Sequence, residues 1–308
     1  MALALGAGAA RGWALIGVLR ELLGRGIIPD LVVGTSMGAV VGGCYCAGKL
    51  DELERFALSM TRRRVFGLMD FTISGMGLIS GSRLRAMLAN SLGDIKIEDL
   101  ATPFACVATQ VHTGHEVWLT KGDLVDAMRA SYALPGVFEP VSVGGRWLMD
   151  GALVNPVPVS VCRALGAETV IAVNLVAETL ARPQNPGQDA VRSELAMPST
   201  AADALVGAWS PLRRRQGLDS GPSMAKVLVD AFNITQDRIA RSRLAGDPPD
   251  LTINAKVGRI GLFDFHRASE LIALGRDAAR RSAPDLADLF PSHSAAPRSG
   301  PPAQDALM

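Results

Sequence analysis

Three short stretches of the chain, Ala2–Leu5, Leu31–Val33 and Thr169–Val173, are almost free of polar side chains. Apolar runs this short, bounded by glycine, proline or acidic residues, predict strands buried on both faces. Between the first two, Trp13, Ile16, Val18, Leu19, Leu22 and Leu23 recur at helical spacing and stop at Gly24-Arg25-Gly26, which predicts an amphipathic helix. Beyond the second strand, Gly34-Thr35-Ser36-Met37-Gly38 turns into an Ala/Val/Gly-rich helix that ends near Gly48. The order strand–turn–helix, repeated, predicts parallel strands joined by right-handed crossovers.

The pattern continues with helices over 51–61, 82–91 and 122–132, and with Phe104–Thr109 and Glu116–Leu119 as paired strands around a His112–His115 turn. Arg146–Met149 reads as a strand ending at Asp150-Gly151. A helix at 224–244, a strand at 250–255 and a helix at 265–281 follow. This predicts one α/β domain over 1–290, with a mostly parallel central sheet and helices on both faces. From about 181 the composition shifts to Pro, Gln, Ser, Gly and Arg, predicting a mobile insertion at 183–222, and the proline-containing residues 291–308 predict a disordered tail.

Composition narrows the function classes. Of 308 residues 48% are hydrophobic and 20% charged, for a net charge of +1. That near-balance gives no reason to expect the basic face that phosphate-backbone binding requires, and only 5% of residues are aromatic, so nucleic acid is not an expected partner. Cys44, Cys46, Cys106 and Cys162 match no zinc spacing and read as buried reduced thiols of a cytoplasmic protein. No carboxylate or Cys/His cluster implies a metal. The N-terminus lacks the features of a signal peptide, and its abrupt start leads us to expect a few preceding residues. No uncharged apolar run reaches the ~20 residues of a membrane span. Leu205, Val206, Trp209 and Leu212 beside Arg213-Arg214-Arg215 suit peripheral contact with an anionic bilayer, with a solvated loop as the plainer alternative.

Chemistry gathers at three places. Gly34-x-Ser36-x-Gly38 lies where a strand turns sharply into a helix, so Ser36 is a candidate nucleophile flanked by the small neighbours that such a turn demands. Its helix N-terminus favours developing negative charge. The loop Gly6-Ala7-Gly8-Ala9-Ala10-Arg11-Gly12 also joins a strand to a helix, and its small residues let backbone N–H groups converge on an oxyanion. A dinucleotide loop would need glycine where Arg11 stands, so that fingerprint fails and no cofactor is expected. Asp150-Gly151 is on its own most simply a turn. Of the histidines, His112 and His115 flank a hairpin turn and His293 is in the tail. His266 enters a helix behind Asp264, its expected N-cap. It is the one candidate for a Ser-Asp-His arrangement, but a structural role is the preferred reading.

Together these blocks resemble the patatin-like phospholipase family. Ala7–Gly12 resembles its glycine-rich oxyanion loop with an Arg-Gly end, Gly34–Gly38 its serine elbow, and Asp150-Gly151-Ala152 its Asp-Gly motif. Arg129–Phe138 resembles the intervening Ala-Ser block. Gly8–Trp13, Ala245–Asp250 and Asp264–Ala268 resemble the bacterial RssA-like branch related to neuropathy target esterase. The resemblance covers about residues 2–282. It implies a patatin-like α/β fold and a lipid ester substrate, lysophospholipid or phospholipid. It further implies hydrolysis by a Ser36–Asp150 dyad without a catalytic histidine, and oxyanion donors at Gly8 and Ala9, with Arg11, Gly12, Gly34, Gly38 and Gly151 supporting. The family's loop is fully glycine, so alanine at 7 and 9 is expected to keep negative φ. The rival is a regulatory or adaptor protein that retains the dyad with little activity.

Overall fold

The computed structural model describes residues 1–68, 70, 80–176 and 224–291. The expected insertion at 183–222, including its membrane-contact candidates, and residues 292–308 of the expected tail lie outside the described residues. The strands are β1 (Ala2–Leu5), β2 (Leu31–Thr35), β3 (Phe104–Gln110), β4 (Glu116–Leu119), β5 (Val141–Val143), β6 (Arg146–Asp150), β7 (Val170–Asn174) and β8 (Leu251–Asn254). The helices are α1 (Trp13–Gly24), α2 (Met37–Cys46), α3 (Leu50–Leu58), α4 (Arg62–Leu68), α5 (Ser82–Leu92), α6 (Leu124–Tyr132) and α7 (Val159–Ala164). After the undescribed segment come α8 (Met224–Gly246), α9 (Ala268–Arg281) and α10 (Ala283–Leu289).

All eight strands join one sheet. β3, β2, β1, β7 and β8 run parallel in that order, while β4 and β6 pair antiparallel with β3, and β5 with β6. The period-2 alternation of strands divides the core. Leu3, Leu5, Val32, Phe104, Cys106, Ile171 and Val173 point to one face, where they pack with α1, α2, α3, α6 and α9. Ala2, Ala4, Val33, Ala105, Val107, Val170 and Ala172 point to the other, beneath α7 and Ala240 of α8. The expected mostly parallel α/β sheet, covered on both faces, is therefore present.

The register along β3 decides where the functional end of the sheet lies. β2 pairs with residues 104–107 of β3, β4 with 106–109 and β6 with 108–110. Each strand has two edges. β2 and β4 overlap on β3, and so do β4 and β6, so β2 and β6 occupy the same edge in series. Hydrogen bonding agrees: Gln110 N–H donates to His115 C=O on the β4 side, and Val111 N–H to Trp147 C=O on the β6 side. β2 thus runs up that edge to Thr35, opposite Val107, and β6 runs down it to Asp150, opposite Ala108.

Several boundaries differ from the sequence expectation, each for a capping reason. The expected helix over 51–61 stops at Leu58, and Thr61, whose Oγ1 accepts from Arg64 N–H, starts α4 instead. Asp123 caps α6 through Asp126 N–H, so that helix begins at 124. Asp264 does not cap the helix behind it as expected; its carboxylate accepts from Gly261 N–H, and Phe265–Arg267 is a 3-10 turn before α9. β5 was not expected. It pairs with β6 through Gly144-Gly145, both with positive φ, the turn geometry that tight hairpins favour.

α1 and α9 approach at backbone distance. A Cβ on Gly275 would lie 1.8 Å from Ala14 C=O, and one on Gly17 1.9 Å from Ile272 C=O. We predict that Gly275→Ala lowers stability by about 1–3 kcal/mol, because overpacking outweighs the ~1 kcal/mol that alanine gains in a helix. Thermal unfolding checks this, and an unchanged or raised Tm contradicts the close packing of α1 on α9.

Candidate active site

Ser36 sits between β2 and α2 with φ 56 and ψ −121. That region costs a non-glycine residue about 1–3 kcal/mol and needs its surroundings to hold it. Two restraints are visible. A Cβ on Gly34 would stand 2.4 Å from Gly38 C=O, and one on Gly38 2.1 Å from Leu5 C=O, so a strand-to-helix turn this tight admits only glycine at both positions. Ser131 on α6 supplies the second restraint. Its hydroxyl donates to Val107 C=O at 2.6 Å and accepts from Ser36 N–H at 2.9 Å. Val107 stands opposite Thr35, the last residue of β2, and the pairing with β6 starts only at Ala108, so its carbonyl faces the junction between the two strands. Ser131 bridges that junction and clamps the elbow.

Asp150 arrives from the opposite direction. Ser36 Oγ donates to Asp150 Oδ2 at 2.7 Å, and Ala152 N–H donates to Asp150 Oδ1 at 2.8 Å. Thr109 Oγ1 binds Asp150 C=O at 2.8 Å, and Asp150 N–H binds Ala133 C=O, which fixes the backbone on both sides. The Asp-Gly pair does open a turn, as its composition suggests, with Asp150 capping the 3-10 turn Gly151–Leu153. Gly151 is needed because a Cβ there would lie 2.1 Å from Val107 C=O. The Asp150 carboxyl is 2% exposed and has no ion-pair partner among the described residues. Burial pushes it up to about 7, against the lowering effect of the Ala152 N–H and Ser36 hydrogen bonds.

The glycine-rich loop closes the third side. Ala9–Gly12 form a 3-10 turn leading into α1. The N–H groups of Ala7, Ala10 and Arg11 are bonded within the protein, whereas those of Gly8 and Ala9 have no partner among the described residues. The expectation of negative φ at both alanines fails at Ala9, which has φ 46. Ala10 N–H bonded to Leu262 C=O and the contact between Gly12 and Met37, the residue after Ser36, hold the loop in that conformation. Arg11 braces the loop. Its side chain is 5% exposed, with Nε on Ile260 C=O at 2.7 Å and a second nitrogen on Asn233 Oδ1 at 3.4 Å.

Ser36, Asp150 and Ala9 open onto an apolar cavity of about 210 Å³. Met37, Val40 and Cys44 line it along one face of α2, and Leu84, Met87, Leu88, Ser91 and Leu92 along one face of α5, so it extends from the elbow down the length of both helices. Cys44 faces it as a neutral thiol, its pKa raised to about 12 by burial.

The histidines stand apart. His266 Nε2 accepts from Arg62 Nε at 3.3 Å, and neither His112 nor His115 contacts Ser36 or Asp150. All four cysteines are free and buried. Among the described residues, no group of His, Cys, Asp or Glu could hold a metal ion, and no helix is long and apolar enough to cross a membrane. Sequence reasoning missed the clamp by Ser131, the bond from Thr35 Oγ1 to Asn155 C=O, and the polar face of α8 beside the site. Only spatial pairing reveals them.

A raised carboxyl has a consequence for stability. Between the ordinary value near 3.8 and about 7, the unfolded chain releases the Asp150 proton while the folded one keeps it, so stability falls as pH rises through that window and levels off above it. Asp150→Asn removes this penalty and keeps the shape. We predict that the variant is more stable than the parent above pH 7, by on the order of a few kcal/mol, and that the gain vanishes near pH 4. Denaturant unfolding across pH checks this. A variant no more stable than its parent at pH 8 contradicts the buried, uncompensated carboxylate.

Comparison with known proteins identifies the family. The patatin-like phospholipase family profile matches residues 3–163. An uncharacterized NTE family protein of Mycobacterium tuberculosis is 35% identical, covering 92% of this chain and 91% of its own. The lysophospholipase nte1 of Emericella nidulans is 26% identical over 89% of this chain, which spans 17% of that protein. The crystal structure of VipD from Legionella pneumophila aligns with 91% of this chain and 66% of its own, with 13% identity and a TM-score of 0.48. The family match spans half the chain and takes in Gly6–Gly12, Gly34–Gly38 and Asp150-Gly151, so the chain belongs to the patatin-like phospholipase family of lipid acyl hydrolases.

Proposed function

We propose that the protein hydrolyses carboxylic esters of lipids, with lysophospholipid or phospholipid acyl chains as substrate, through a Ser36–Asp150 dyad and an acyl-enzyme. The observation that carries this reading is the 2.7 Å contact between Ser36 Oγ and Asp150 Oδ2 at the head of an apolar cavity. The acyl chain lies along α2 and α5, where each buried methylene contributes about 0.8 kcal/mol. Ser36 Oγ attacks the carbonyl carbon as its proton passes to Asp150 Oδ2. The N–H groups of Gly8 and Ala9 receive the oxyanion. The C–O bond to the alcohol then breaks, and protonated Asp150 returns the proton to the leaving oxygen. In the second half Asp150 takes a proton from water, whose oxygen attacks the acyl carbon. Ser36 leaves with that proton and the carboxylic acid departs.

A base must be deprotonated at working pH yet basic enough to accept from serine. A carboxyl raised to about 7 meets both demands better than an ordinary aspartate, which is why no histidine is required. A binding-only scaffold gives no reason to bury an uncompensated carboxylate against a strained serine.

We predict that Ser36→Ala abolishes release of fatty acid from lysophospholipid vesicles or micelles and also covalent labelling by a fluorophosphonate. Asp150→Asn should fold and lower kcat by about 10²–10⁴, the range for loss of a general base. Labelling that survives Ser36→Ala would place the nucleophile elsewhere. Full turnover by Asp150→Asn would remove the dyad.

A further inference from the structure

The cavity wall carries few polar side chains besides Ser36 and Asp150, and they fall into two groups. Lys49, Glu52 and Ser91 satisfy one another, with Lys49 Nζ on Glu52 Oε1 at 2.8 Å and Ser91 Oγ on Glu52 Oε2 at 2.6 Å. Gln236 and Tyr132 do not. The Tyr132 hydroxyl is buried without a hydrogen-bond partner, whereas the Gln236 side chain, 3% exposed, lines the cavity and makes no hydrogen bond to a described residue. An amide that faces a binding cavity with no partner in the protein is left to hydrogen-bond whatever occupies the cavity, which points to a polar occupant there.

The position of Gln236 indicates which part of that occupant it meets. It lies on α8, one helical turn from Phe232, which also lines the cavity. Its neighbour Asn233 accepts from Arg11 of the oxyanion loop, and α8 packs against the Gly151–Leu153 turn that follows Asp150. Farther along, Ala240 of α8 belongs to the core on the opposite face of the sheet from α2 and α3. α8 therefore meets the cavity beside the turn that follows Asp150. An ester held with its carbonyl carbon at Ser36 has two halves. The acyl half belongs along α2 and α5, which leaves the alcohol half towards α8.

We propose that Gln236 hydrogen-bonds the oxygen atoms of the alcohol half and so selects acyl esters of a glycerol-type polyol over esters of simple alcohols. This rests on the ester-hydrolase reading of the same site. The carboxamide both donates and accepts, which suits a hydroxyl or an ether-like oxygen beside the scissile bond. Gln236 is a specificity residue, so removing it changes the choice between substrates and not the chemistry.

The test compares monolauroylglycerol with ethyl laurate, which share the acyl chain, by fatty-acid release from the full-length protein and from Gln236→Met. We expect the ratio of kcat/KM, glycerol ester over ethyl ester, to fall about tenfold in the variant, mainly through KM, the loss expected for one hydrogen bond of ordinary net worth. The Tm should hold or rise, because an unpaired amide has been replaced by an apolar side chain of similar length. Gln236→Leu repeats the measurement if the methionine variant does not fold. A ratio within twofold of the parent overturns the proposal, whether both rates fall together or neither moves. If the parent releases fatty acid from neither ester, the hydrolase reading itself fails, and this one with it.

Discussion

The structure turns on one edge of one strand. β2 and β6 share the same side of β3, end to end and running in opposite directions, and the hydrogen bond between Ser36 and Asp150 is the point where they meet. A parallel strand delivers Ser36 at its carboxyl end, where open α/β sheets place their ligands. An antiparallel strand, entering through a hairpin, delivers Asp150 at the same height. Residues 114 positions apart in sequence are thereby fixed by adjacent residues of a single strand, Val107 and Ala108. Backbone pairing sets their separation, so the two side chains need no flexible search to meet.

The junction is bridged by a side chain. Where β2 stops, Val107 C=O faces the junction between the two strands, and a buried carbonyl must be hydrogen-bonded. Ser131 donates to it and accepts from Ser36 N–H, so one hydroxyl both bridges the junction and holds the strained elbow. Gly151 belongs to the same junction, since only a residue without Cβ can pass that carbonyl. The electrostatics follow from the packing. Asp150 is buried by the closing of the two strands and receives one backbone N–H but, among the described residues, no cation, which is enough to orient the carboxyl and too little to lower its pKa.

Much of this was legible in the chain. Apolar runs located β1, β2 and β7, the alternation around His112–His115 located the β3–β4 hairpin, and the spacing at Gly34–Gly38 marked the elbow. What one sequence could not show was relational. The strand ending at Asp150 was visible, but its partner edge was not, and on composition alone Asp-Gly reads as a turn. Ser131 lay within a recognisable block, yet its role depends on a carbonyl 24 residues away. Gly144-Gly145, both with positive φ, is the local hairpin signal that joins β5 to β6. Ala9 shows the limit of local rules. Its φ of 46 is disfavoured for alanine, and it is maintained by contacts to Leu262 and Met37 that no propensity encodes.

The central claim is that a buried aspartate, and no histidine, takes the proton from Ser36. The most direct measurement is the pH dependence of kcat/KM for ester hydrolysis in a variant with His112, His115, His266 and His293 all replaced. Because the base works as a carboxylate, activity should rise with pH and level off, with a midpoint near 7 set by Asp150. That limb should lie in the same place with and without the histidines. A folded histidine-free protein that has lost activity, or whose acidic limb has moved, would contradict the account.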